Sequence, residues 1–156
     1  MEKRIYEYGG HRKSFDFIVA NNQASALPHY NAQNKLIKPG IILLDYGVEY
    51  NHYHADITRT FFVDMKKENK FKKIYDIVLQ AQSLAIKNCR PGIKGSQLDK
   101  IARDFISSAG YGPNFGHGLG HGVGLEIHEG PMVGRNSNDI LKEGMVLTIE
   151  PGIYLE

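Results

Sequence analysis

The chain reads as an α+β domain, and three observations lead there. Two apolar, β-rich segments flank a short polar connection over residues 41–63, two helical periodicities follow over 70–89 and 96–110, and β-rich sequence then returns behind a run of glycines and histidines. An order of hairpin, two helices and further strands departs from the alternation that a parallel βαβ sheet needs. At 156 residues, 42% of them apolar and 23% charged, the chain has the size and make-up of one ordinary globular domain. A domain of that size buries about two thirds of its unfolded surface.

Residues 1–13 are polar with few apolar anchors and read as the tail of an element that begins upstream. Phe15, Phe17, Ile18 and Val19 predict a short strand, ended by the turn-prone Asn21-Asn22-Gln23. Pro28-His29-Tyr30-Asn31 is loop-like, and Lys38-Pro39-Gly40 is a strong turn signal. Ile41 to Leu44 form an apolar run that delivers Asp45. After the polar residues 49–54, Ala55-Asp56-Ile57-Thr58-Arg59-Thr60-Phe61-Phe62-Val63 completes a hairpin, which the apolar residues 41–44 and 61–63 predict to be buried. With the loop centred on Tyr50-Asn51, counting places Asp45 opposite Asp56. Directly opposed carboxylates repel one another, and burial sharpens the conflict; a bound cation removes it.

Phe71, Ile74, Val78, Ala81 and Ala85 trace one helical face over 70–89, closed by Arg90-Pro91-Gly92. Lys66, Lys67, Lys70, Lys72 and Lys73, interrupted by Asp64 and Glu68, read as the solvated entrance of that helix. Ser96 offers an N-cap with Asp99 three residues on, and Leu98, Ile101, Ala102, Phe105 and Ile106 form the buried stripe of a second helix that Gly110 closes. Cys89 carries no cue for activation and is assigned to core packing.

The segment from Gly116 to Pro131 holds three histidines, His117, His121 and His128, with glycine in nearly every other place between the first two. So much glycine marks backbone that must approach something closely. His121 and His128 are an odd seven residues apart, so an unbroken strand would turn them to opposite faces; a bulge can bring both imidazoles together. Asn136 to Asp139 make a polar loop, Lys142-Glu143-Gly144 a turn, and Met145 to Glu150 a strand that delivers Glu150 just before Pro151-Gly152. The chain reaches Glu156 within or just after a further apolar stretch.

Four groups stand at the ends of apolar β segments: Asp45, Asp56, His121 and Glu150. Three carboxylates with one imidazole make a mainly hard ligand set that suits Mn²⁺, Fe²⁺, Co²⁺ or Zn²⁺, and so many carboxylates suit two ions sharing oxygens. Such a pair lowers the pKa of a shared water and stabilises the oxyanion formed when that water attacks a carbonyl. Other chemistries find no footing. There is no H-E-x-x-H, no G-x-S-x-G elbow, no P-loop and no G-x-G-x-x-G, and the spacing His117 to His121 carries too much glycine for a helix. A net charge of +2 gives no argument for nucleic acid or a membrane surface. No apolar run nears the ~20 residues of a membrane span, the N-terminus lacks a signal-peptide core, and a single cysteine excludes an intrachain disulfide. The expected compartment is the cytoplasm.

Asp45-Tyr46-Gly47, Asp56-Ile57-Thr58-Arg59-Thr60, the run Gly116–Pro131, Glu143-Gly144-Met145 and Thr148-Ile149-Glu150-Pro151-Gly152 together resemble the catalytic domain of Xaa-Pro peptidases. These are the aminopeptidase P and prolidase branch of the pita-bread metallopeptidases (the creatinase and methionine aminopeptidase family), and the match spans residues 15 to 156 in order. The resemblance implies a pita-bread fold, two divalent ions, most often Mn²⁺ or Co²⁺, and hydrolysis of the bond between an N-terminal residue and a following proline. By position, Asp45 binds one ion and Asp56 bridges both. His121 and Glu150 bind the other, and Glu150 also handles the proton of the attacking water. His29 matches the histidine near the scissile carbonyl, and His128 the one that steadies the tetrahedral intermediate. His117 matches an extra histidine of the proline-specific branch, so it separates that branch from methionine aminopeptidases.

The sequence departs from the family at His52, where the hairpin usually carries glycine. The family's fifth ligand is a bridging glutamate on a strand some tens of residues past the Glu150 position. Residues 1–156 are therefore expected to be a partial catalytic domain, without that strand and without the N-terminal non-catalytic domain of the branch. The expected partner is a peptide with proline in second place, with a homodimer allowed for the full-length protein. The competing readings are a metal-free peptide- or protein-binding module, a methionine aminopeptidase type and a metal-free creatine hydrolase. Intact ligand positions count against the first and the last.

Overall fold

A computed structural model describes residues 1–64 and 70–155. Among these, residues 1–64 with 123–127 form one unit and residues 70–122 with 128–155 another. The mixed α and β content is that predicted. Of the lysine-rich helix entrance, Lys66, Lys67 and Glu68 lie outside the described residues, as does Glu156. Lys70, Lys72 and Lys73 are exposed, as a solvated entrance requires, and Lys72 pairs with Asp76 at 2.6 Å.

The first unit contains helix α1 (Glu2–Glu7), strands β1 (Arg12–Lys13) and β2 (Ile18–Asn21), a 3₁₀ turn at Asn22–Ala26, and strands β3 (Gly40–Tyr46), β4 (Val48–Tyr50), β5 (Tyr53–His54) and β6 (Ile57–Val63). Its two antiparallel sheets run β1-β4-β5 and β2-β3-β6. The polar opening residues hold α1 and β1, for which the sequence carries no strong signal: helix and strand here are only six and two residues long.

The hairpin forms with one correction. Tyr50 pairs with Tyr53, Tyr46 with Ile57 and Asp45 with Thr58, so Asp45 does not face Asp56. The two-residue turn is Asn51-His52, with φ of 49° and 69°. A tight hairpin turn of this length takes positive φ at both central residues, which asparagine tolerates better than most. That preference moves the loop centre one residue past the predicted one. Opposite Asp56 the register leaves Gly47, where a Cβ would stand 1.9 Å from the Ala55 carbonyl oxygen. The strands press backbone to backbone at this point, and only glycine fits. Asp45 and Asp56 are consequently diagonal neighbours on one face of the hairpin. The hairpin is also half-buried rather than buried. β6 is an edge strand, with Phe61 48% and Ile57 37% exposed.

The second unit holds helices α2 (Lys70–Asn88) and α3 (Gly95–Ser108), a 3₁₀ turn at Gly112–Asn114, and the antiparallel strands β7 (Gly120–Gly122) and β8 (Glu129–Val133). Both helices follow the apolar spacing: Ile74, Ala81 and Ala85 of α2, and Leu98, Ala102 and Ile106 of α3, are buried. Their core takes in Phe115, Leu119, Val133 and Leu141, and Cys89 is half-buried against it. Each fully buried Leu, Ile or Phe contributes about 1.5–3 kcal/mol.

Two expectations fail in this unit. Helix α3 starts at Gly95 with Lys94 as N-cap, and Gln97 Oε1 accepts the Lys94 N–H at 3.1 Å; Ser96 is not the cap. Asp99 is then left to bond elsewhere, as described below. Met145 to Glu150 is extended but is not a regular strand, and meets β7 through the single bridge Gly122↔Leu147. Thr148 and Glu150 donate their N–H to His121 O and Leu119 O, each at 2.8 Å. The His121 N–H, however, goes to the Thr148 hydroxyl at 3.1 Å instead of to a backbone carbonyl. A side-chain acceptor inserted in the ladder stops it from propagating.

Candidate metal and substrate site

Strand β7 exists because glycine lets two backbones close on it. A Cβ at Gly120 would lie 2.1 Å from Thr148 O, and one at Gly122 would lie 2.2 Å from Gly130 O. Between His121 and Gly122 the register against β8 shifts, with His121 opposite Met132 but Gly122 opposite Glu129. This is the predicted bulge, and it brings the His121 and His128 rings to 4.3 Å between centroids, edge to face at 63°. His121 is buried while His128 is exposed.

His121 and Glu150 also meet. The His121 Nδ1 stands 2.8 Å from the Gly122 carbonyl oxygen, which can only accept, so Nδ1 carries a proton. Its Nε2 is thereby turned on Glu150 Oε1 at 3.1 Å, with 9% and 31% of the two side chains exposed. Thr148, two residues before Glu150 on the same side of an extended segment, donates its hydroxyl to Oε1 at 2.8 Å. Burial by itself pushes the Glu150 carboxyl up; the hydrogen bonds from His121 and Thr148, with the charge of His121 and His117, outweigh it and hold the acid below its ordinary range.

With neutral imidazole, this pair sets a nitrogen lone pair against a carboxylate oxygen, two acceptors that need something positive between them. A proton supplies it in the imidazolium–carboxylate form, and a divalent cation supplies it otherwise. Ligands about 2.1 Å from one ion and at right angles to each other lie about 3 Å apart. The observed separation of 3.1 Å fits that bite.

In the first unit, Asp45 accepts a hydrogen bond from the Thr58 hydroxyl at 2.9 Å, and Asp56 is half-buried just before β6. His29 sits on an exposed turn after the 3₁₀ segment. In the second unit, His117 is half-buried between aromatic neighbours: the Phe115 ring is 5.2 Å away edge-on, and the Tyr154 ring 5.5 Å. Its Nδ1 lies 2.7 Å from Gly118 O, and its Nε2 lies 3.1 Å from the Tyr154 hydroxyl oxygen. Reading the sequence missed Thr148, Tyr154 and the pair Asp99–Arg103 that underlies the loop. For Asp99 and Arg103 a signal existed, a carboxylate and an arginine at i, i+4 beside the apolar stripe. Thr148 was legible as the residue two before a ligand; Tyr154 had no such cue.

The family model for metallopeptidase family M24 matches residues 1–156. The chain is 50% identical over 148 residues to the Xaa-Pro dipeptidase of Pyrococcus horikoshii, covering 94% of this chain and 42% of that protein. Prolidase from Pyrococcus furiosus superposes with a TM-score of 0.95 at 48% identity, over 99% of this chain and 46% of that one. The X-Pro aminopeptidase of Thermotoga maritima gives a TM-score of 0.95 at 44% identity, over 99% and 44%. The chain thus spans less than half the length of the relatives it matches. With motifs, fold and relatives in agreement, the chain belongs to metallopeptidase family M24.

Proposed function

We propose that the protein acts as a metal-dependent hydrolase of the peptide bond preceding proline, on a peptide with proline second. The observation that carries the reading is His121 Nε2 facing Glu150 Oε1 at 3.1 Å, with the other imidazole nitrogen committed to a carbonyl. In this reading His121 and Glu150 hold one divalent ion, Asp45 holds a second and Asp56 serves both, with Mn²⁺ the expected metal. Bound ions of this kind lower the pKa of a water and polarise a carbonyl. The residues do the rest. Thr148 keeps the Glu150 carboxylate aimed and ionised, and the Gly122 carbonyl holds His121 in one tautomer. His128, exposed and edge-on to His121, steadies the oxygen that gains charge, and His29 meets the substrate carbonyl. His117 lines the proline side, where a tertiary amide without N–H must be recognised through its ring. A single cysteine, with no described helix long and apolar enough to cross a membrane, supports a cytoplasmic setting.

Calorimetry with Mn²⁺ tests the metal centre. Binding is expected in the native chain, weakened by Asp56→Asn and lost in His121→Ala and Glu150→Gln; affinities that ignore all three substitutions would overturn the assignment. Steady-state hydrolysis of Ala-Pro and Ala-Ala tests the substrate. His117→Ala is expected to cost about ten- to a hundred-fold in kcat/KM on Ala-Pro. A preference for Ala-Ala, or an unchanged His117→Ala, would defeat the proline reading.

A further inference from the structure

Helix α3 turns a carboxylate and an arginine toward the histidine loop, not toward solvent. Asp99 is 1% exposed and the Arg103 side chain 12%. Arg103 Nε and Nη2 donate to the two Asp99 oxygens at 2.7 and 2.8 Å. Two further N–H groups are spent on the loop: Nη1 donates to Phe115 O and Nη2 to His117 O, both at 2.7 Å. Asp99 Oδ1 in turn accepts the Leu119 N–H at 3.0 Å. The guanidinium also lies 4.0 Å from the centre of the Phe115 ring, which stands edge-on to the His117 imidazole. Backbone at residues 115, 117 and 119 is thus tied to one buried pair, and those three positions bracket His117.

A buried ion pair is a poor way to stabilise a core, since apolar residues of similar volume often do as well or better. What the pair supplies is a fixed geometry, because a planar fork with several partners permits one arrangement of the backbone it holds. The loop needs that constraint, since Gly116 and Gly118 flank His117 and leave its backbone with little stiffness of its own. We propose that Asp99 and Arg103 are positioning residues that set the His117 ring against Tyr154 and thereby set selectivity for proline, an inference that rests on the peptidase reading above.

Arg103→Lys keeps the charge beside Asp99 but replaces the fork by a single point donor. Rates on Ala-Pro and Ala-Ala are measured for the native protein, Arg103→Lys, His117→Ala and the double variant. Arg103→Lys is expected to lower kcat/KM on Ala-Pro about tenfold or more while changing Ala-Ala less than about threefold. In the His117→Ala background it should add little. Equal losses on both peptides, or losses that multiply in the double variant, would overturn the proposal, because a general structural role predicts both.

A second readout needs neither metal nor turnover. The imidazole proton resonances of His117 are expected to move in Arg103→Lys and to stay in place in Lys100→Gln, a substitution on the exposed side of the same helix; an unmoved His117 would overturn the proposal. If the native protein cleaves neither peptide, the peptidase reading fails and the resonance test still decides the positioning of His117. Should Arg103→Lys not fold, Asp99→Asn, which preserves size and one acceptor oxygen, is taken through the same measurements under the same criteria.

Discussion

Each unit buries a carboxylate against an arginine, and the two pairs are built differently. At the hairpin tip Glu49 is buried, with its side chain 9% exposed, but its partner Arg12 is 70% exposed and reaches it through Nε. His54 Nε2 and His52 Nδ1 stand 3.8 and 4.0 Å from the same carboxylate. The Glu49 acid is held below its ordinary value of 4.5 first by the Arg12 hydrogen bond, against a smaller upward push from burial. Around Asp99, by contrast, both partners are buried and the surplus donors of Arg103 end on backbone carbonyls. An arginine that faces water can let go at the cost of little more than its own contact. One whose fork is shared with the backbone cannot move without releasing the loop.

Breaking the inner pair is expected to have the largest effect. Arg103→Ala leaves Asp99 as an uncompensated buried charge and takes the guanidinium donor from His117 O, while Phe115 O keeps Arg135 Nη2 at 3.3 Å, a loss of about 3–5 kcal/mol by chemical denaturation. A loss under about 1 kcal/mol would mean that water replaces the guanidinium and that the contrast between the pairs is false.

The hairpin relies more on backbone than on side chains, and Gly47→Ala probes that. The added methyl would meet the Ala55 carbonyl oxygen at 1.9 Å, so the strands must separate, at a cost of roughly 1–3 kcal/mol. Thermal denaturation at the same level as the native chain would show that the strands yield freely there.

The outer pair should be visible mainly through pH. A carboxyl lowered in the folded state contributes stability that is complete above its unfolded value and is lost as pH falls through the lower folded one. Glu49 therefore adds to acid sensitivity below its ordinary 4.5 and nothing to pH dependence above it. Glu49→Gln should shallow the acid limb of an unfolding-midpoint profile and leave the neutral region parallel to the native curve. An acid limb of undiminished slope would remove Glu49 from the account.

Lys100→Gln is the smallest and sets the scale. It breaks an exposed Lys100–Asp104 pair at 2.7 Å on the same helix as Arg103, and the shift should stay within about 0.5 kcal/mol. A larger shift would show that position on α3, and not burial of the pair, governs the cost.

Much of this arrangement is legible before any coordinates. The helices α2 and α3 follow from apolar spacing, and Asp45, Asp56, His121 and Glu150 are identifiable as ligand types at the ends of apolar segments. The seven-residue interval between His121 and His128 even requires a bulge if the rings are to meet, and the register shift supplies it. The misreadings share one origin. Placing the hairpin loop at Tyr50-Asn51 weighed the polar stretch as a whole, whereas the turn falls where two consecutive residues accept positive φ. Ser96 and Asp99 have the spacing of a capping box, yet Asp99 is spent on Arg103 and Leu119.

Local sequence suffices for what neighbours in the chain decide among themselves: helical periodicity, the apolar strand runs, the turn at Lys38-Pro39-Gly40 and the kinds of side chain that a metal would accept. Tertiary structure alone decides which of those side chains meet, because each decision is a contact across the chain. Gly122 presses on Gly130, Thr148 takes the His121 N–H out of the ladder, and Asp99 reaches Leu119 twenty residues away. None of these energies can be assigned to a residue before its partner is in place, since a buried polar group is worth only what its completed hydrogen bonds make it.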